Sequence, residues 1–262
     1  HAYHRRQRQM CIRDRDQAAL DKGLGIVKKN YEASAWKGRI SSEDVDVRMG
    51  LIEGTTNYSD LKDVDLVIEA VFENMDVKKE VFSKLNETVS ENTILASNTS
   101  YLDIDEIATV VDNPERVLGM HFFSPANIMR LLEIIKAEKT SPAILATVLK
   151  LAKSIKKVGA VAGVCHGFIG NRMLTGYSRE ANLLVLEGAP PEQVDRVLYE
   201  FGMPMGVIAM ADMAGIDIGT RLRQQMDESD YDVMATSVAD KLVAQGRCCL
   251  LYTSDAADDD TR

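Results

Sequence analysis

The stretch VDLVIEAVFENMDVKKEVFSKLNETVSENTILASNTSYLDIDEIATVVDNPERVLGMHFF (64–123) decides the fold. It opens on VDLVIEAV (64–71), an almost unbroken apolar run of strand length. Such a run suits a strand covered on both faces, as in a parallel sheet. A helical pattern over about 75–90 follows, then the short run TILAS (93–97), a helix over about 103–112, and VLGMHFF (117–123) as a third strand. This strand–helix alternation predicts an α/β domain built on a mostly parallel sheet. RLLEIIKA (130–137) comes next through a short loop after Pro125. A loop that short permits an antiparallel hairpin but no helical crossover.

Towards the N-terminus, Ala19, Leu20, Leu24, Ile26 and Val27 predict a helix over 16–36, followed by a shorter one around 42–50. Towards the C-terminus, Ser141-Pro142 is a capping residue followed by proline at the first helical position, and the helix it starts runs to about 157. From Gly167 onward strand signals vanish. Ile169, Met173, Tyr177, Ala181 and Leu184 mark the core face of a helix that Pro190-Pro191 breaks, and further helices are expected over 191–201, 206–226 and 233–245. The expected organisation is an α/β domain over 16–164 and an all-helical domain over 165–247.

The 262 residues carry 40 acidic and 31 basic side chains, a net charge of −9, and 45% hydrophobic residues. That content is too apolar for disorder, and no apolar run approaches the roughly 18 residues that cross a bilayer. The acidic balance argues against a general nucleic-acid binder. Cys11, Cys165, Cys248 and Cys249 show neither metal-ligand spacing nor a disulfide framework, so no metal site is expected and a reducing compartment fits best.

The two ends differ from the middle. HAYHRRQRQMCIRDR (1–15) is basic and CCLLYTSDAADDDTR (248–262) is acidic; they carry +4 and −3, leaving −10 on residues 16–247. The basic start could be read as a nucleic-acid arm or a transit peptide, but the apolar core of a secretory signal is missing. Both ends resemble translated sequencing-adapter sequence, and both are set aside as non-native in reading the fold.

In an open parallel sheet, ligands bind at the carboxyl ends of the strands. Those ends carry Phe72-Glu73-Asn74, Asn98-Thr99-Ser100, and His121 leading into Ser124-Pro125. Asn98 and Thr99 read first as helix-capping residues ahead of Asp103. His121 lies within an apolar strand, where a lone histidine is usually structural. If the hairpin turns about Asn127, however, residues whose numbers sum to 254 face each other, and His121 faces Glu133. Facing side chains on such a pair have Cβ atoms roughly 4.5–5.5 Å apart, within hydrogen-bonding reach. A carboxylate beside a histidine fixes its tautomer and favours the imidazolium, as a general base requires; a structural ion pair is the alternative. In GFIGNRM (167–173), Asn171 points away from the Ile169 face and is either turned to the first domain or solvated. A G-x-G-x-x-G turn, which normally cradles a dinucleotide pyrophosphate, does not occur near the start. Either no dinucleotide binds or the first strand–helix–strand unit has been cut off, and the foreign-looking start favours truncation.

DLVIEAVFENMDVKKEVFSKL, ILASNTS, VLGMHFFSPANIMRLLEII, GFIGNRML and FGMPMG together resemble the L-3-hydroxyacyl-CoA dehydrogenase family over essentially all of 16–247. HFFSPA, NYEASAWKGRI and GVCHGFIGNRM are similar to the dehydrogenase portion of bacterial multifunctional fatty-acid β-oxidation proteins. The resemblance implies a Rossmann-like domain with an incomplete first unit and a helical substrate and dimerisation domain. It implies an enzyme of lipid metabolism, cytoplasmic, that uses NAD to oxidise (S)-3-hydroxyacyl-CoA to 3-ketoacyl-CoA, as a homodimer or within a multifunctional complex. His121 would be the base and Glu133 its orienting carboxylate; Ser100 and Asn171 would bind the substrate oxygen. Val71, Phe72, Glu73, Lys78, Ser100 and Ser124 would contact the cofactor. Ser124 and His166 stand where many relatives have Asn and Pro, and no chemistry is assigned to His166. Lys37 and Arg39 fall in the region that binds the CoA nucleotide in relatives. Asp14 falls near the acidic residue that holds the adenosine ribose, but inside the foreign-looking start, so NAD binding by this chain is expected to be poor or absent. The alternatives are a catalytically inactive fragment that only folds and dimerises, and a related β-hydroxyacid dehydrogenase. The latter uses a lysine from the helical domain, and no lysine follows Asn171 on that helix.

Overall fold

A computed structural model describes residues 9–224 and 232–247, divided into two compact units at Phe168/Ile169. The first unit runs β1 (Met10–Arg13), α1 (Gln17–Trp36), α2 (Ser42–Met49), β2 (Ile52–Thr55), β3 (Leu66–Glu69), α3 (Met75–Thr88), β4 (Ile94–Ser97), α4 (Ile104–Ala108), β5 (Val117–Phe122), β6 (Leu131–Lys136), α5 (Pro142–Ser154) and β7 (Val158–Gly163). β1 and β2 form a parallel pair, Met10 opposite Ile52. The remaining strands form one sheet in the order β3-β4-β5-β6-β7. β3, β4 and β5 are parallel, and β6 runs antiparallel to β5 with His121 opposite Glu133. The hairpin register expected from the short loop is therefore the one observed.

Period-two alternation sorts the strand side chains onto two faces. Leu118 and Met120 of β5, with Leu132 and Ile134 of β6, pack on Val148 and Ala152 of α5. Val117 and Ile135 face the other way, against Phe82 and Leu85 of α3 and Ile104 and Ile107 of α4. His121 and Glu133 share the parity of this second face, so their polar pair is walled by an apolar core. Gly119 sits between Val117 and His121, and a Cβ there would lie 2.8 Å from Ile135 Cβ. Only glycine lets β5 and β6 approach this closely.

Three strands were not expected. β1 lies inside the start set aside as foreign, and β2 is short and contains Gly54. β7 (VGAVAG) occupies residues beside the end assigned to α5, which stops at Ser154. Small residues made its pattern indistinct.

The second unit holds α6 (Gly170–Leu186), α7 (Pro191–Phe201), α8 (Val207–Ala214), α9 (Ile216–Arg223) and α10 (Val233–Ala244). Its core joins Ala181, Val194 and Val207 with Leu174, Val185 and Leu198. The face assigned to α6 needs correction. Of that face Ala181 is buried, whereas Ile169, Met173, Tyr177 and Leu184 are exposed, and the half-buried Leu174 and Val185 pack with Ala181 instead. Ala181 lies on both apolar stripes of the helix, so periodicity alone does not choose between them. The helix expected over 206–226 is broken at Gly215, whose φ of 101° helical residues do not adopt. Asp195 of α7 accepts from the backbone N–H groups of Ile208 (2.9 Å) and Ala209 (2.8 Å), capping α8 across Gly206. Arg179 of α6 pairs with Asp232, the N-cap of α10, at 2.7 Å.

Among the described residues no helix is long and apolar enough to cross a membrane. Cys11 and Cys165 are free thiols; Cys248, Cys249 and the tail assigned to 248–262 lie outside the described residues, as do residues 1–8 of the assigned start.

Candidate active site

The carboxyl ends of β3, β4 and β5 lie side by side, and the polar residues of the candidate site stand there. His121 is 4% exposed and Glu133 fully buried. The imidazole Nδ1 lies 2.7 Å from Glu133 Oε2. A buried carboxylate accepts and cannot donate, so it selects the tautomer with the proton on Nδ1 and leaves a lone pair on Nε2. Ser100 Oγ lies 3.2 Å from that Nε2. The ring is flanked by Phe123, with centroids 4.4 Å apart, and Phe168, at 5.9 Å. Phe168 follows Gly167 (φ 70°) and itself has φ of 46°, an unusual left-handed conformation for a bulky residue. That turn delivers its buried ring to the histidine.

Ser100 is held from behind. Glu73 Oε1 accepts from the Ser100 N–H (2.8 Å), the Tyr101 N–H (3.1 Å) and the Thr99 hydroxyl. Asn98 Oδ1 accepts from the Phe122 N–H at 3.0 Å, stitching the end of β4 to that of β5. Asn98 thus joins two strands and caps no helix, while the Thr99 hydroxyl accepts from the Tyr101 N–H at 3.3 Å and the Leu102 N–H at 2.9 Å, just ahead of Asp103, the N-cap of α4. Burial, and then the nearby Glu73 carboxylate, push the Tyr101 phenol above its ordinary value of 10.0.

Val71 and Phe72 are exposed just past β3, and Ser124 is exposed just past β5. Lys78 is placed differently from the expected cofactor contact. Its side chain is fully buried, and Nζ lies 2.8 Å from Glu69 Oε1, 3.5 Å from the Val71 carbonyl and 3.6 Å from Glu73 Oε2. Glu69 and Ser97, which sequence reasoning missed, stand opposite each other at the ends of β3 and β4, with Ser97 Oγ donating to Glu69 Oε2 at 2.7 Å. The only signal for them was a polar residue closing each apolar run. Asn171 lies in the first turn of α6 in the second unit, half-buried, with its carbonyl accepting from Thr175 Oγ1 at 2.9 Å. Lys37 and Arg39 are exposed after α1; His166 is exposed, with its ring 5.0 Å from that of Tyr101.

A dinucleotide fits this site in part. Exposed apolar side chains at the end of β3 stand beside a hydroxyl and an imidazole at the next strands, which suits a nicotinamide ring. Among the described residues no glycine-rich strand–helix turn is present to cradle a pyrophosphate.

Residues 2–165 match the family described as 3-hydroxyacyl-CoA dehydrogenase, NAD binding domain, and residues 167–249 match 3-hydroxyacyl-CoA dehydrogenase, C-terminal domain. The peroxisomal bifunctional enzyme of Homo sapiens is 51% identical over 65% of this chain, and that of Danio rerio 47% identical over 82%. The chain spans only 24% and 29% of the length of these two relatives. Among solved structures, (S)-3-hydroxybutyryl-CoA dehydrogenase from Ralstonia eutropha superposes with a TM-score of 0.85 at 32% identity, covering 92% of this chain and 87% of that one. The 3-hydroxybutyryl-CoA dehydrogenase of Escherichia coli K12 gives 0.83 at 29% identity, over 92% and 52%. Two adjoining domain matches in family order, over a Rossmann-like sheet and a helical unit, place the chain in the 3-hydroxyacyl-CoA dehydrogenase family.

Proposed function

We propose that the chain is the dehydrogenase portion of a multifunctional fatty-acid β-oxidation protein, oxidising (S)-3-hydroxyacyl-CoA to 3-ketoacyl-CoA. The observation that carries this reading is the buried His121–Glu133 pair with Ser100 at the outer nitrogen. Glu133 holds the Nδ1 proton, so Nε2 takes the proton of the substrate's 3-hydroxyl. The imidazolium that results stays beside the Glu133 carboxylate, which stabilises it without becoming protonated. The Ser100 hydroxyl, turned to the substrate oxygen, steadies charge developing there. Phe123 and Phe168 exclude water from the imidazole. Val71, Phe72, Glu73, Ser100 and Ser124 are the residues that would hold NAD, which when bound supplies the hydride acceptor. Lys78 belongs to this group only through Glu73.

Apolar side chains left exposed on the helical unit, among them Val197, Tyr199 and Phe201, support a homodimer formed there. The cysteine pattern supports a cytoplasmic setting; the peroxisomal names of the relatives supply the alternative, which fractionation of source cells decides.

The test is NADH oxidation by this chain with acetoacetyl-CoA, acetoacetate and a 2-keto acid in parallel, together with calorimetric titration of each ligand. Turnover of acetoacetyl-CoA alone supports the proposal. Preference for acetoacetate favours a β-hydroxyacid dehydrogenase, although α6 contains no lysine to serve one. Binding of neither NAD nor acetoacetyl-CoA favours a module that folds and associates without catalysis.

A further inference from the structure

We propose that Glu69 is a positioning residue, acting through Lys78 and Glu73 to set where Ser100 meets His121. Glu69 closes β3 with its side chain 1% exposed. Oε2 accepts from Ser97 Oγ at 2.7 Å, and Oε1 accepts from the Val71 N–H at 2.5 Å and from Lys78 Nζ at 2.8 Å. Lys78 has no exposed surface from which to touch a ligand, and its ammonium leans on towards Glu73 Oε2. Glu73 spends its other oxygen on the Thr99–Tyr101 turn. One polar path therefore leads from the end of β3, through α3, to the hydroxyl beside the base.

Chemistry separates this role from plain stabilisation. Burying an ion pair is costly, and apolar residues of similar volume often replace such a pair with no loss of stability. A pair kept only to hold β3 against α3 could be apolar. A pair kept to aim Glu73 cannot, because the Lys78 ammonium is the group that reaches Glu73 Oε2, the oxygen turned away from the Thr99–Tyr101 turn. Lys78 also shares the buried stripe of Phe82 and Leu85 on α3, so its charge is carried into the core at a position where an aliphatic side chain would pack.

The test uses the full chain with Glu69→Gln, Ser97→Ala and the double variant Glu69→Leu/Lys78→Met. Hydrogen exchange at the Ser100 and Tyr101 amides is the first readout, with thermal melting as the control. Exchange is expected to quicken about tenfold in Glu69→Gln and in the double variant, and about threefold in Ser97→Ala, while the double variant melts at or above the parent. The second readout rests on the proposed function: kcat for acetoacetyl-CoA falls about tenfold with KM within about twofold. If the parent shows no turnover, that bears on the proposed function alone, and exchange still decides the role of Glu69. Folded variants with exchange within about twofold of the parent overturn the proposal. Failure of all three to fold overturns it as well, by marking the pair as purely structural.

Discussion

Replacing Gly119 by alanine tests how the fold builds the dyad. The new Cβ would lie 2.8 Å from Ile135 Cβ, 3.0 Å from Ile135 Cδ1 and 3.2 Å from Ile104 Cδ1. Ile135 is paired directly opposite and is fully buried, so its Cβ moves only if a strand moves. Ordinary contact begins near 3.4 Å, which requires β5 and β6 to part by about 0.6 Å. Overpacking of this kind costs about 1–3 kcal/mol. At about 2–4 °C per kcal/mol for a domain of this size, melting falls by about 2–12 °C. The strain also reaches the site, because His121 and Glu133 lie two residues along each strand. A separation of about 0.6 Å takes their 2.7 Å hydrogen bond towards the limit of useful geometry. Urea unfolding measures the first effect, and the Nδ1 proton resonance of His121, with its exchange rate, measures the second. Gly163→Ala is the control, since nothing lies within 4 Å of its Cβ position and its φ is unremarkable; a change within about 0.5 kcal/mol is expected. Equal stability of the two alanine variants, with an unchanged His121 resonance, would refute the close-approach reasoning.

Three further outcomes follow from the same geometry. Glu133→Gln keeps the shape but removes the charge beside the imidazolium. At an effective dielectric constant of about 20, charges this close attract by several kcal/mol, and retaining about half of that in the transition state predicts a 10²–10³-fold fall in kcat, read by acetoacetyl-CoA turnover. Gly206→Ala puts a Cβ 2.1 Å from Asp195 Cγ and displaces the α8 cap, costing about 0.5–2 kcal/mol by urea unfolding, with amide exchange in the five-stranded sheet unchanged. Tyr101 ionises above 10.0 in the folded chain because burial and Glu73 oppose the phenolate. Its contribution to stability is complete below that pH and is lost as pH rises through the folded value. Tyr101→Phe should therefore flatten the alkaline end of the stability profile, and an unchanged slope between pH 9 and 11 would contradict the assignment.

Most of what positions the site was legible because β5 and β6 are the two strands of one hairpin. Period-two side-chain alternation and a short loop leave few registers, and the one that faces His121 with Glu133 is the one observed. The four strands found in advance are long or rich in branched apolar residues. β7 escaped because Gly159, Ala160, Ala162 and Gly163 carry little hydrophobic signal, and its place beside β6 depends on contacts distant in sequence. β1 is four residues long and lies inside the basic start, whose composition hides it. The buried stripe of α6 could not be chosen from periodicity, since Met173, Tyr177 and Leu184 are as regularly spaced as Leu174, Ala181 and Val185. Lys78 lies four residues before Phe82 and seven before Leu85, which puts it on the buried face of α3. Its resemblance to a cofactor contact pointed outward, and the helix geometry points in.

We propose His121, oriented by Glu133, as the base of the dehydrogenase reaction. Comparing kcat for acetoacetyl-CoA reduction between the parent and His121→Gln, at saturating NADH, tests it most directly. A loss of at least about 10²-fold is expected, because glutamine at that position offers no group that exchanges a proton near neutral pH. A parent that turns over and a variant whose rate stays within about threefold of it would contradict the claim.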